Sequence, residues 1–267
     1  MFTGLVVGVL LLLISVFMIF QTTCKVWGAE KPANATQQGI DVSSHQGKID
    51  WEQVKNSALA DYAIIRCGYG VNQTDKDDKY WDYNSSECER LGIPYGTYLY
   101  SGADTTAKAK SEAEHVVRLL QGKNLTYPIY YDMEADMLNQ LSSTQIGNIA
   151  KTFLNTMESY GYKNVAVYSN KYLFETKLTA SVFSDYPKWI AQHSNKCTYQ
   201  GSYHMWQYST QGVIPGISEK VDLNYKIGNW TYAGYSSAKK TVVVKPKATT
   251  IKSLRKSGKK AVKITYK

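Results

Sequence analysis

Hydrophobic and polar positions divide the chain into stretches of different character. Residues 1–20 are almost wholly apolar and carry no charged side chain. That is enough length to cross a bilayer as a helix, and it also suits a long secretory leader. Residues 30–38 are polar and read as a linker. From Gly39 onward, short runs rich in Ile, Val and Tyr alternate with amphipathic segments, the pattern of strand–helix repeats. Strands are expected at 39–43, 62–67, 95–100, within 126–136, and at 164–168. Helices are expected from Asp50, where Asp-Trp-Glu-Gln has capping-box-like spacing, around 81–91 and over 106–121. A further helix runs from the cap Ser142 to Gly161.

After residue 168 the spacing collapses. Candidate strands at 188–191, 204–208 and 221–223 follow one another too closely for full crossover helices, so some are expected to run antiparallel. The pattern predicts an irregular β/α barrel of about eight strands, with helices mainly between the first five. An open doubly wound sheet fits less well, because no glycine-rich phosphate loop follows the first strand. Beyond residue 230, two strand-like runs with basic faces suggest the start of a small β-sandwich accessory module. The expected division is an anchor or leader at 1–23, a linker at 24–38, a catalytic barrel at 39–232 and a basic module at 233–267.

The formal charge of +9 changes little, because residues 234–267 hold 11 Lys and Arg and no acid. The rest carries 20 basic against 22 acidic residues, so the body has no charge signature for nucleic acid. Lys25 and Lys31 follow the apolar run and none precedes it, which opposes export mildly; long domains translocate largely regardless of such charges. Export permits disulfides, and Cys67 with Cys88 is the pair that the strand–helix order allows. A fold of this size does not require one.

Candidate chemistry concentrates in Thr126-Tyr-Pro-Ile-Tyr-Tyr-Asp-Met-Glu-Ala-Asp136. Asp132 and Glu134 sit at i and i+2 at the end of an apolar strand, so both leave the sheet on one face. Mutual repulsion should raise one pKa, giving a protonated acid beside an ionised one, as hydrolysis of a glycosidic bond needs. His45, His193 and His204 lack the spacing of zinc ligands, so no metal and no cofactor are expected.

Several motifs together resemble the lysozymes of glycoside hydrolase family 25, muramidases that cut peptidoglycan. They are Gly39-Ile-Asp-Val-Ser-Ser-His-Gln-Gly47 with Asp50-Trp51, Ile64-Ile-Arg-Cys-Gly-Tyr-Gly70, Gly92-Ile-Pro-Tyr-Gly-Thr-Tyr98 and Pro128-Ile-Tyr-Tyr-Asp-Met-Glu134. Trp189-Ile-Ala-Gln192, Met205-Trp-Gln-Tyr208, Pro215-Gly-Ile217 and Val221-Asp-Leu-Asn224 continue the series in the family's order. The resemblance implies a groove at the carboxyl ends of the barrel strands, with Glu134 as proton donor and Asp132, Asp41 and Asp222 as its partners. A carboxylate nucleophile and assistance by the substrate's own N-acetyl group both remain open, and Asp132 could serve either.

Tyr69, Tyr98, Tyr168, Trp189 and Trp206 lie at strand ends where rings could stack on sugars, with Gln192 beside them; each could equally be core packing. The implied partners are peptidoglycan glycan strands in a bacterial cell wall, and a membrane through residues 1–23, with the protein acting extracellularly or at the cell surface as a monomer. A chitinase-like enzyme is the nearest enzymatic alternative, but its pattern wants an acid where Tyr130 stands. A non-catalytic wall-binding module is the alternative from another class.

Overall fold

A computed structural model describes residues 29–230. The predicted leader (1–23), the start of the predicted linker (24–28) and the basic tail (233–267) lie outside the described residues. Eight strands close into a barrel in chain order. They are β1 (Ala35–Val42), β2 (Tyr62–Tyr69), β3 (Tyr95–Tyr100), β4 (Ile129–Asp132), β5 (Val165–Asn170), β6 (Lys188–Ala191), β7 (Met205–Gly212) and β8 (Val221–Ile227). The helices are α1 (Trp51–Ser57), α2 (Trp81–Leu91), α3 (Thr106–Leu119), α4 (Ser143–Ser159), and two short ones between β5 and β6, α5 (Lys171–Thr176) and α6 (Val182–Asp185).

Local chemistry places the helix ends as expected. Asp50 caps α1 and Ser142 caps α4 in a full capping box, while Gly92 ends α2 in the left-handed conformation. Strands β1 through β7 are parallel to their successive neighbours, and β8 is antiparallel to both β7 and β1. Only residues 213–220 join β7 to β8, too few for a crossover, so the chain must return alongside itself. β6 and β7 stay parallel although no helix joins them.

One difference from the sequence reading bears on the site. β1 begins at Ala35, inside the stretch read as linker: Gln37 and Gln38 pair with Lys226 and Tyr225 of β8. Their polar side chains hid a strand whose outer part is only half-buried. Cys67 and Cys88, whose pairing the sequence left open, are free buried thiols, and the Cys67 Sγ–H donates to the Tyr98 carbonyl at 3.3 Å.

Alternation along the strands builds two cores. Ile40, Val42, Ile65, Leu99, Tyr131 and Trp206 are among those packing outward against the helices. Tyr62, Ile64, Tyr130, Tyr168, Trp189 and Met205 fill the barrel interior. Gly39 is required there, because a Cβ at that position would lie 2.4 Å from the Tyr62 ring. This interior layer is the floor on which the functional side chains stand.

Candidate active site

In β1, Ile40 and Val42 face the outer core, so Asp41 between them points into the barrel. Directly across the antiparallel ladder stands Asp222 of β8. Two residues further along β8, on the same face, Asn224 donates from Nδ2 to Asp41 Oδ2 at 2.7 Å. Its Oδ1 accepts from the Trp189 indole N–H at 2.8 Å, which fixes the amide orientation. Gln207 of β7 donates from Nε2 to Asp41 Oδ2 at 3.0 Å and to Asp222 Oδ2 at 3.3 Å. Burial, then the charge of Asp222, pushes Asp41 well above the usual carboxylate range, against the amide hydrogen bonds. Asp222 is pushed up to about 6, chiefly by burial.

Asp132 is the last residue of β4 and is 3% exposed. Its Oδ1 is buried with no hydrogen-bond partner. Glu134 follows just past the strand and remains partly open to solvent. Burial raises both acids. The charges of Glu134 and Asp41 add to the rise at Asp132, where Arg66 opposes it. For Glu134 the Asp41 charge adds, while His193 and a hydrogen bond with Tyr168 oppose. The expectation of one raised acid beside an ionised Asp132 is thus corrected: both are raised, and desolvation outweighs repulsion. A solvent-facing strand end would have left repulsion to dominate; here the strand ends in a buried carboxyl.

Arg66 reaches this group from β2, held by the Asp78 carboxylate at 2.8 Å and the Ser44 hydroxyl at 2.9 Å. Among the described residues no group of three or more His, Cys, Asp or Glu side chains is arranged to hold a metal ion.

The predicted aromatic contacts separate into different places. Tyr69 is 41% exposed at the carboxyl end of β2, with the Lys76 ammonium 5.1 Å from its ring centroid. Tyr98 and Tyr168 line the interior. The Tyr168 and Trp189 ring centroids are 4.4 Å apart, and Trp189 is buried beneath them as floor. Gln192 ties down its own loop through Thr198, donating at 3.0 Å and accepting the Thr198 N–H at 2.8 Å. Trp206 is not brought to the site. It is fully buried on the outer face of β7, beside Tyr208 and Tyr225, with its indole N–H on the Gln192 carbonyl at 2.8 Å.

Comparison with known proteins matches residues 40–217 to Glycosyl hydrolases family 25. The chain belongs to that family. It is 30% identical over 188 residues to an autolytic lysozyme of Clostridium acetobutylicum, covering 70% of this chain and 55% of that one. Among solved structures, the modular autolysin LytC of Streptococcus pneumoniae is 33% identical with a TM-score of 0.65, covering 71% of this chain and 46% of that one. A family 25 glycosyl hydrolase from Bacillus anthracis shares the fold, with a TM-score of 0.65 at 20% identity over 77% of this chain and 95% of that one. The chain thus spans about half the length of the autolytic lysozyme and of LytC.

Within this family 25 barrel, the four acids singled out from sequence gather at one mouth, while Gln207, Asn224, His193 and Arg66 went unremarked as site residues. Asn224 was recoverable: it stands two positions after Asp222, so strand alternation puts both on one face. Gln207 has the same relation to the interior Met205. Arg66 likewise follows the interior Ile64 by two positions in β2, whereas His193 lies past the end of β6 and carries no such local pattern.

Proposed function

We propose that this family 25 glycoside hydrolase is a peptidoglycan muramidase, cleaving the β-1,4 bond between N-acetylmuramic acid and N-acetylglucosamine. The observation that carries the catalytic assignment is the contrast between Glu134 and Asp132: a partly open acid with a raised pKa stands two residues beyond a buried one. Glu134 keeps its proton at mildly acidic pH and can reach a substrate in the groove. As the glycosidic C–O bond breaks, that proton passes to the leaving oxygen. Positive charge then grows at the anomeric carbon, and Asp132, whose Oδ1 has no other partner, stabilises it as a carboxylate, the ionised form that an adjacent cation favours. Water completes the reaction: its hydroxyl joins the anomeric carbon and its proton returns to Glu134. Asp41 and Asp222 assist by keeping the mouth electronegative.

The likeness to an autolytic lysozyme, and to an autolysin also solved with a synthetic peptidoglycan ligand, supports the substrate. In this reading the enzyme acts outside the cell or at its surface as a monomer, exported by or anchored through residues 1–23. Tyr69, exposed at the rim, offers a flat ring to a sugar. Residues 233–267 serve as an accessory module for the wall. The test is the sugar at the new reducing end of fragments released from purified peptidoglycan. Muramic acid there is the expected result; glucosamine there, or no release, overturns the proposal.

A further inference from the structure

Gln207 is 3% exposed and uses both ends of its amide. Its Oε1 accepts from the Tyr168 hydroxyl at 3.0 Å and faces His193 Nε2 at 2.9 Å. Its Nε2 faces Asp41 Oδ2 at 3.0 Å and Asp222 Oδ2 at 3.3 Å. In this orientation the amide N–H groups meet carboxyl oxygens and the amide oxygen meets the Tyr168 hydroxyl, so each end has a complementary partner. Asp41 Oδ2 already takes N–H donors from both Asn224 and Gln207. The Asp41 and Asp222 carboxyls face each other across the β1–β8 ladder and both accept from the one Gln207 amide nitrogen. Two carboxyl groups held this close ionise together only against their mutual repulsion, so one proton retained between them is the favoured state.

We propose that Gln207 is a positioning residue: its amide holds Asp41 and Asp222 together as a pair that shares one proton, and ties that pair through His193 to the neighbourhood of Glu134. Other charged or titratable groups surround the pair. Arg66 comes from β2 and Tyr98 from β3, while Asp132 and Glu134 come from the end of β4. Tyr168 from β5 and His193 after β6 reach the pair through Gln207 itself. Without the amide donors, two opposed acids at one ladder position would repel on ionising, and Asp41 would lose part of what orients it.

This inference rests on the muramidase reading for its consequence in turnover, but not for the geometry it tests. The experiment compares wild type, Gln207→Leu and Gln207→Glu in pH profiles of peptidoglycan cleavage, together with carbon NMR titration of aspartate-labelled protein. Gln207→Leu should lower kcat on the order of 100-fold, the scale of a misplaced catalytic group, with KM nearly kept. Gln207→Glu is isosteric: when protonated it can donate to one acid and accept from Tyr168, and when ionised it adds a further negative charge. Its activity should therefore approach wild type at acidic pH and fall away as pH rises, with the basic limb moved to lower pH. Either variant keeping the wild-type profile within a few-fold would overturn the proposal, as would equal losses in both at every pH.

If Gln207→Leu fails to fold, the profile of Gln207→Glu decides alone. If wild type releases no fragments, the muramidase reading fails and the NMR arm still stands. Coupled two-step titration of two aspartates in wild type, lost in a folded Gln207 variant, supports the clamp; unchanged titration overturns it.

Discussion

Asp41 and Asp222 face each other directly across the β1–β8 ladder, the one place where the first strand of the barrel meets the last. Like charges opposed in an antiparallel pair destabilise it. Here the cost is met by two amides and a shared proton, so the closure of the barrel and the electrostatics of its mouth are one arrangement. Burial holds Asp222 up to about 6 from an ordinary 3.8.

That shift has a stability consequence of definite sign. Between the two values the folded protein binds a proton that the unfolded chain has released, so Asp222 makes stability fall as pH rises from ~4 to ~6. Asp222→Asn can keep the contacts to Asp41 and Gln207 without the charge. It should be more stable than wild type at pH 7 by on the order of 1 kcal/mol, discounted for partial exposure, and no more stable at pH 4. Urea unfolding of both proteins at the two pH values checks this.

Glu134→Gln keeps the shape of the proposed general acid and removes its transferable proton. Turnover on peptidoglycan should fall at least ~100-fold, with wall binding retained. Activity within a few-fold of wild type would remove Glu134 from the role.

Gly216 should resist substitution. Its φ is 92°, and an added Cβ would lie 2.3 Å from the Asp50 carbonyl oxygen. The Gly216 carbonyl also accepts the Asp50 N–H at 2.9 Å, where α1 begins. Gly216→Ala should therefore cost roughly 3 kcal/mol through backbone strain and overlap together. Calorimetry should show a Tm lowered by about 10 °C.

The amino-terminal boundary is also testable. Deletion up to Gln38 removes the ladder pairs of Ala35, Gln37 and Gln38 with β8. It also removes the reciprocal bonds between Gln38 and Asp61, at 2.8 and 2.7 Å. A protein beginning at Ala29 should fold and cleave, whereas one beginning at Gly39 should melt lower and lose activity, because Asp41 would stand at a frayed end. Equal melting of the two would show that the start of β1 contributes nothing.

The sequence by itself determined whatever depends on near neighbours. Apolar runs and caps such as Ser142 and Gly92 placed most helices and strands, because helix capping and strand alternation act over a few residues. The spacing of the last strands was enough to anticipate an antiparallel return, and Asp132 and Glu134 were legible as neighbours two positions apart. Tertiary structure alone decided which side of β7 holds Trp206 and which holds Gln207. Alternation separates two such faces but does not say which one is inside. It also decided that β1 reaches back to Ala35, since polar residues become a strand there only by pairing with β8. The order of causes at the acids likewise came from the fold: desolvation depends on how the whole barrel excludes water, which no local spacing records. The bond from Asn224 to Asp41 spans 183 positions in the chain. Such a contact exists only when the barrel closes, and the mouth acquires its chemistry at that closure.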